Sequence, residues 1–139
     1  MISWILLLLV LLVSYKVYYG GTSTPEELDA LEIQTFTPEK LVKFNGNDDA
    51  RILMAIKGKV YDVTAGRNHY GPGGPYASFA GRDASRALAK HSFDLDLLTP
   101  VDQPVDTLDD LSSEELAALD QWIGFMSAKY PYCGEFGNE

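Results

Sequence analysis

The sequence is poor in the residues that build disulfides, metal clusters and nucleophilic active sites. Cys133 is its one cysteine, which excludes an internal disulfide and a cysteine-rich metal centre. Its two histidines, His69 and His91, show no arrangement with a serine or cysteine that is typical of nucleophilic catalysis. The glycines match neither the dinucleotide-binding pattern nor the P-loop. We therefore expect a cytosol-facing domain without these catalytic or phosphate-binding devices.

Basic residues are also scarce. The 139 residues include 11 lysines and arginines against 20 aspartates and glutamates, a net charge of −9. This balance argues against the basic surface that nucleic-acid binding requires. The acidic surplus either keeps a small domain soluble or matches a basic protein partner, and charge alone does not choose between the two. The length suits one membrane segment and one domain of about a hundred residues.

The one long apolar run lies at the N-terminus. Residues 2–13 read ISWILLLLVLLV, and weakly polar and aromatic residues continue the stretch to residue 19 around a single cation, Lys16. We predict a membrane anchor over residues 1–19, with the Lys16 ammonium reaching the interface. The alternative is a cleaved signal peptide, because small residues follow the run. Lys16 favours a cytosolic C-terminal domain. Residues 20–35 are predicted to form a hydrated, acidic linker.

The first part of the domain is predicted to contain a short helix and a β-hairpin. Thr37 and Pro38 are typical of an N-cap and a first helical position. Two apolar segments, Arg51–Ile56 and Val60–Val63, have the composition of buried strands. Because the Lys-Gly pair between them is typical of a tight turn, we predict that the two strands form a hairpin.

Two helices are predicted further along the chain. Asp83 is suited to cap a short, alanine-rich helix. Ser112 and Glu115 have the spacing of a capping box, and an amphipathic helix follows them. Trp122 and Met126 lie on the apolar face of this helix, so we assign both side chains to the core.

A segment rich in glycine and proline separates the hairpin from these helices. The run from Tyr70 to Tyr76, YGPGGPY, places two phenols on either side of a backbone with almost no side-chain bulk. Residues 66–76 are therefore predicted to hold no regular element. A flat, rigid ligand can approach such a backbone closely, but Gly-Pro turns also occur without a ligand. The spacing alone leaves both interpretations open.

Longer segments of the chain together resemble a known family. They are FTPE at 36–39, RILMAI at 51–56, GKV at 58–60, DVT at 62–64, GR at 66–67, YGP at 70–72, GPY at 74–76 and FAGRDASR at 79–86. With these segments, the chain resembles the membrane-associated progesterone receptor component family, whose domain is similar to cytochrome b5. The short N-terminal anchor resembles that of the fungal damage-resistance members.

The resemblance implies both the fold and its limits. It predicts an α+β, cytochrome b5-like domain at residues 36–133, in which a small sheet and short helices form a haem pocket. One N-terminal transmembrane helix would precede this domain. Residues 134–139 would be a tail.

The resemblance also implies a haem ligand. It places the iron-ligating tyrosine at Tyr76 and matches Tyr70, Lys129 and Tyr130 to other residues of the haem pocket. A phenol ordinarily has a pKa of about 10, but ferric iron can hold it as an anionic oxygen ligand, as in catalase. We therefore expect ferric haem b on Tyr76. Tyr70 or Lys129 would donate to the ligating oxygen or to a propionate.

A pair of histidines is the alternative ligand set. Ordinary cytochrome b5 holds haem between two histidines, and this chain contains only His69 and His91. His69 lacks the Pro-Gly-Gly that follows the b5 ligand, and His91 matches no ligand of the family. Both are otherwise explained as histidines at the surface or at the edge of the pocket.

The family implies a function that composition does not reveal. We expect a non-catalytic haem protein of the endoplasmic reticulum membrane that supports a sterol-modifying cytochrome P450. Since anionic ligation disfavours reduction, stabilising the P450 or delivering haem is expected over electron transfer. The alternatives are a sterol-binding module and a bis-histidine electron-transfer protein. A haem with one uncovered apolar face would also favour a homodimer.

Overall fold

The chain begins with an apolar helix. The structure is a computed structural model that describes residues 3–19 and 32–138. Helix α1 (Ser3–Tyr19) is regular, and its side chains from residue 4 to residue 13 are more than half exposed. Within the described ranges, none of the helices combines the length and apolarity needed to cross a membrane. Most of the predicted linker, residues 20–31, lies outside the described residues.

Four strands form one mixed sheet. They are β1 (Gln34–Phe36), β2 (Leu53–Ile56), β3 (Lys59–Asp62) and β4 (Tyr132–Phe136), and their order across the sheet is β1-β4-β3-β2. β1 runs parallel to β4, and β3 runs antiparallel to both of its neighbours. The sheet thus includes two residues that the sequence analysis assigned to the linker and three that it assigned to the tail. The predicted α+β fold with a small sheet is confirmed.

The predicted hairpin joins β2 and β3. Lys57 and Gly58 form its turn, and both have positive φ angles, 48° and 78°. Positive φ at both central positions defines the type I′ turn, whose twist matches that of paired strands. Every residue of β2 is buried. The hairpin therefore anchors one edge of the sheet in the core.

Close approach of β1 to β4 depends on Gly134. Its φ angle is 146°, and a Cβ atom built there would lie only 1.8 Å from the carbonyl oxygen of Gln34. Any side chain at this position would collide with the neighbouring strand. Because the two strands are separated by almost a hundred residues, their pairing left no local pattern to predict.

The short helices begin where the sequence predicted. Helix α2 (Pro38–Leu41) is capped by Thr37, whose hydroxyl accepts a hydrogen bond from a first-turn N–H at 3.3 Å. Helix α4 (Ser85–Ala89) starts beside Asp83, whose carboxylate accepts from the N–H and hydroxyl of Ser85 at 3.1 and 2.5 Å. Asp83 thus satisfies a free donor at the start of the helix, but it does so from one position before the N-cap residue, Ala84, so the predicted N-cap position is wrong by one residue.

The longest helix of the domain is α5 (Ser113–Lys129). Both halves of the predicted capping box are present: Glu115 N–H donates to the Ser112 hydroxyl at 3.1 Å, and Ser112 N–H donates to the Glu115 carboxylate at 3.0 Å. Leu119 and Met126 are fully buried. α5 contacts α4 and ends directly before β4, so it connects the core to the central part of the sheet.

Apolar side chains pack on both faces of the sheet. One cluster contains Phe36, Leu53 and Cys133. The larger cluster joins the other face to α4 and α5, and it includes Tyr70 and Tyr130. Two of the predicted site residues are therefore also part of the domain core.

Candidate functional site

The glycine- and proline-rich segment is partly helical. A 3-10 turn at Thr64–Gly66 leads directly into helix α3 (Arg67–Tyr70). The prediction that residues 66–76 hold no regular element is therefore wrong for their first half, because a single helical turn is too short to show an apolar period. The N–H of Tyr76 donates to the carbonyl of His69 at 2.8 Å, which closes the rest of the segment onto α3.

The glycines of this segment serve its own fold. A Cβ at Gly71 would lie 2.5 Å from the Arg67 carbonyl oxygen, and a Cβ at Gly74 would lie 2.4 Å from that of His69. Only Gly73 faces open space, and its φ angle is 82°. The spacing left open whether the bare backbone admits a ligand or only forms turns, and two of the three glycines let the loop turn back against α3.

The predicted site residues meet in one open cleft of about 240 Å³, which we term cleft A. It is lined by His69, Tyr70, Tyr76, Trp122, Phe125, Lys129 and Tyr130. All four residues predicted to bind the cofactor are in this set. The fold brings them together from α3, from the loop after it and from the end of α5.

Three tyrosines form one wall of cleft A. The ring centres of Tyr70 and Tyr76 are 5.6 Å apart, and those of Tyr70 and Tyr130 are 6.2 Å apart at nearly a right angle. Tyr70 and Tyr130 are buried, whereas Tyr76 is half-buried. The Tyr76 hydroxyl has no hydrogen-bond partner among residues 3–19 and 32–138. Tyr76 is thus the least buried tyrosine of this wall, and Tyr70 is the one whose hydroxyl is already engaged in a hydrogen bond.

Tyr70 is held as a neutral donor. Its hydroxyl donates to the sulfur of Met126 at 3.9 Å, and Met126 is fully buried, as predicted for a core residue. Burial, together with smaller contributions from the neighbouring phenols of Tyr130 and Tyr76, raises the pKa of Tyr70 to about 12. Tyr70 therefore keeps its proton at neutral pH.

Gly66 makes room for the tyrosine wall. A Cβ atom at this position would lie 2.4 Å from the Tyr130 hydroxyl oxygen and 3.2 Å from a ring carbon of Tyr70. No local pattern in the sequence marks Gly66 as a site residue. Its role follows from contacts between segments that are far apart in the chain.

A single ammonium group stands at the mouth of cleft A. Lys129 is exposed, and its Nζ atom lies 5.4 Å from the ring centre of Phe125 and 5.6 Å from that of Tyr130. Both distances fall within the range of a cation–π interaction. In the part of the chain that the structure describes, no carboxylate lies within salt-bridge distance of Lys129.

A second cleft of about 150 Å³, termed cleft B, adjoins the first. It is lined by Tyr76, Phe79, Ala87, Leu88, His91, Ser92, Phe93 and Trp122. The rings of Phe79 and Phe93 stack at 5.7 Å and 9°. Tyr76 and Trp122 line both clefts, so the assignment of Trp122 to the core alone is wrong. An amphipathic pattern does not distinguish a buried tryptophan from one that borders a cleft.

The two histidines do not share a cleft. His69 lines cleft A, His91 lines cleft B, and both are exposed. Within the described ranges, no group of three or more histidine, cysteine, aspartate or glutamate side chains is placed to hold a metal ion. The arrangement therefore offers a phenol, with aromatic walls and one ammonium, as the most developed ligand set.

These features fit a planar, apolar cofactor with a metal centre and an anionic edge. Aromatic walls suit the faces of a porphyrin, the free oxygen of Tyr76 suits a hard ferric ion, and the ammonium of Lys129 suits a carboxylate. The residues present are thus compatible with haem.

Comparison with known proteins agrees with this geometry. Residues 37–124 match the model of the cytochrome b5-like haem/steroid binding domain, and the chain belongs to this family. Within it, the chain is 44% identical to the cytochrome P450 regulator dap1 of Schizosaccharomyces pombe over 110 residues, 78% of this chain and 66% of that protein. It is 40% identical to human membrane-associated progesterone receptor component 2 over 115 residues, 83% of this chain and 50% of that protein. The predicted family resemblance is confirmed.

The fold has a close counterpart among solved structures. A hypothetical protein from Arabidopsis thaliana, described as having a cytochrome b5 like fold, superposes with a TM-score of 0.67 at 38% identity. The superposition covers 81% of this chain and 98% of that one. The matched segment spans one half to two thirds of the two curated relatives above, so those proteins contain further sequence.

Proposed function

We propose that the domain binds haem in cleft A, with the oxygen of Tyr76 as the iron ligand. One observation supports this above the others. Of the three tyrosines in the cleft, Tyr76 is the least buried, and its hydroxyl has no hydrogen-bond partner among the described residues; the Tyr130 hydroxyl also has none there, but its side chain is buried. The family to which the chain belongs is a haem/steroid-binding one.

The neighbouring residues would each have a separate task. Ferric iron would supply the positive charge that holds the Tyr76 oxygen as a phenolate. Tyr70, kept protonated by burial, supports the Tyr76 ring at 5.6 Å. Lys129 would bind a propionate of ferric haem b, and Tyr130 would limit the motion of the ammonium. Trp122 would exclude water from one side of the ligand.

Spectroscopy of the full chain in detergent tests the ligand. Ferric haem should give the absorption and electron paramagnetic resonance spectra of a high-spin, phenolate-ligated iron. Tyr76→Phe should lose this signature, whereas the matched His69→Ala, His91→Ala double variant should keep it. A low-spin spectrum that disappears with the histidines would instead indicate a bis-histidine electron-transfer protein.

The haem domain would serve a cytochrome P450 at the endoplasmic reticulum. The related yeast protein is named as a cytochrome P450 regulator, and the net charge of −9 suits docking on a basic surface. We expect support of a sterol-modifying P450 through stabilisation or haem delivery, without catalysis by this chain. Affinity capture of microsomal P450 by the full chain, but not by a variant with neutralised acidic residues, is the expected result.

The apolar helix α1 would hold the domain at this membrane with the C-terminal part in the cytosol. Support comes from the uninterrupted apolar side chains of residues 4–13. The chain should resist extraction from membranes by alkaline carbonate, and protease added to sealed microsomes should digest the domain. Release by carbonate, or protection from protease, would contradict the anchor or its orientation.

Cleft B favours a second candidate function, the binding of a steroid. Its walls are apolar, with the stacked rings of Phe79 and Phe93, and several relatives are named as membrane steroid-binding proteins. Sterol binding by the haem-free chain that survives Tyr76→Phe would support this function. A homodimer that forms only after haem is added would show that a second copy covers the open haem face.

A further inference from the structure

Lys129 differs from the lysines that pair with acids. Lys57 lies 3.3 Å from Asp120, and Lys90 lies 2.8 Å from Glu115. The ammonium of Lys129 is placed instead by two aromatic rings, those of Phe125 and Tyr130. In an acidic chain, a cation without a carboxylate partner in the described residues remains available to an anionic ligand.

The ring of Phe125 is exposed and yet fixed. About half of Phe125 is open to solvent, at 49%, so burial of apolar surface alone does not explain its position. Trp122 holds it in an edge-to-face contact, with ring centres 6.0 Å apart at 87°. Trp122, Phe125 and Lys129 are spaced three and four residues apart, which places them along one face of α5. The helix thus carries the aromatic support and the cation on the side that borders cleft A.

We infer that Phe125 positions the Lys129 ammonium and thereby makes cleft A select planar ligands that carry a free carboxylate at its mouth. The inference rests on the proposed binding of haem in cleft A. A free lysine side chain loses rotamer freedom when it binds an anion, and a side chain already held over a ring loses less. Haem presents carboxylates, whereas a sterol has a neutral edge.

Two ligands that differ in charge distinguish positioning of the Lys129 ammonium from a simple apolar contact between Phe125 and the ligand. We would titrate the full chain with ferric haem and with its dimethyl ester, which keeps the ring and iron but lacks the anionic groups. Phe125→Leu keeps apolar bulk without an aromatic face, and Lys129→Met keeps the apolar stem without the charge. The ratio of haem affinity to ester affinity should fall about two- to fivefold in Phe125→Leu, the effect expected of an exposed cation–π contact.

A double-variant cycle identifies the partner of Phe125. Lys129→Met should reduce the ratio at least as much as Phe125→Leu, and Phe125→Leu should have no further effect on the ratio in the Lys129→Met background. Lys57→Met is the matched control, because Lys57 lies 3.3 Å from Asp120 and lines neither cleft A nor cleft B. Its affinity ratio should equal that of the native chain.

The outcomes distinguish a failure of the positioning role of Phe125 from a failure of the proposed haem binding. An unchanged ratio in Phe125→Leu, or an equal fall with and without the Lys129 charge, would overturn the positioning role. If haem binds with the phenolate spectrum that depends on Tyr76, but Phe125→Leu leaves the ratio of haem affinity to ester affinity unchanged, only the inference fails. If the native chain binds no haem, both the inference and the proposed function fail.

Discussion

Gly66 lies where one added methyl group should disturb the site directly. Its φ angle is −94°, so alanine at this position carries no backbone strain of the left-handed kind. The obstacle is space, because the new Cβ would lie 2.4 Å from the Tyr130 hydroxyl and 3.2 Å from the Tyr70 ring. Both tyrosines are packed in the core, so neither can move aside freely. Overpacking of this kind costs about 1–3 kcal/mol.

Thermal unfolding and haem titration of Gly66→Ala measure this cost. In a domain of this size, each kcal/mol lowers Tm by about 4–8 °C. Haem should also bind more weakly, because Tyr130 lines cleft A. Gly124→Ala is the control: no atom lies within 4 Å of its added Cβ, and replacing a helical glycine should stabilise α5 by up to about 1 kcal/mol. A Gly66→Ala chain with native Tm and native haem affinity would refute the steric argument.

Three further predictions concern the rest of the domain. Hydrogen bonds from Arg86 lower the pKa of Asp106 below its usual value, so this carboxylate stabilises the fold above about pH 4 and loses its contribution as pH falls through the lowered pKa. Asp106→Asn should therefore be destabilised in urea at pH 7 and approach the native chain in acid; a difference that grows in acid would contradict this. Burial raises the pKa of Cys133 to about 11, so iodoacetamide at pH 8 should label it rapidly only after unfolding, and fast labelling of the native chain would argue against burial. Ser112→Ala should lower the free energy of unfolding by about 1 kcal/mol, because it removes the N-cap of α5. Ser113→Ala, at the exposed neighbouring position, should change it little. Equal effects of the two substitutions would contradict the capping role of Ser112.

Local features of the fold could be predicted because their causes are local. The Lys57-Gly58 turn, the Thr37 cap and the capping box at Ser112 each depend on residues within a few positions of one another. The site tyrosines were found differently, through the family resemblance. The structure then placed Tyr70 and Tyr76 in one wall of cleft A.

The parts that were missed depend on contacts between distant segments. β1 and β4 are short and lack an alternating apolar pattern, and their pairing relies on the close approach at Gly134. The sequence showed Trp122 on an apolar helix face but not that two clefts open beside it. The contact between Phe125 and the Lys129 ammonium is local, because the two residues are four positions apart on α5, but the sequence does not show that cleft A opens beside them.

The strand order also sets a sequence of events during synthesis. β4 is the last of the described strands to leave the ribosome, yet it lies between β1 and β3 in the finished sheet. Until it arrives, β1 has no neighbour to pair with, and β3 has only its hairpin partner. Lys129 and Tyr130 lie just before β4, separated from it by Pro131, so cleft A is completed at the same late moment. Cofactor loading should therefore follow translation of the whole domain rather than accompany it.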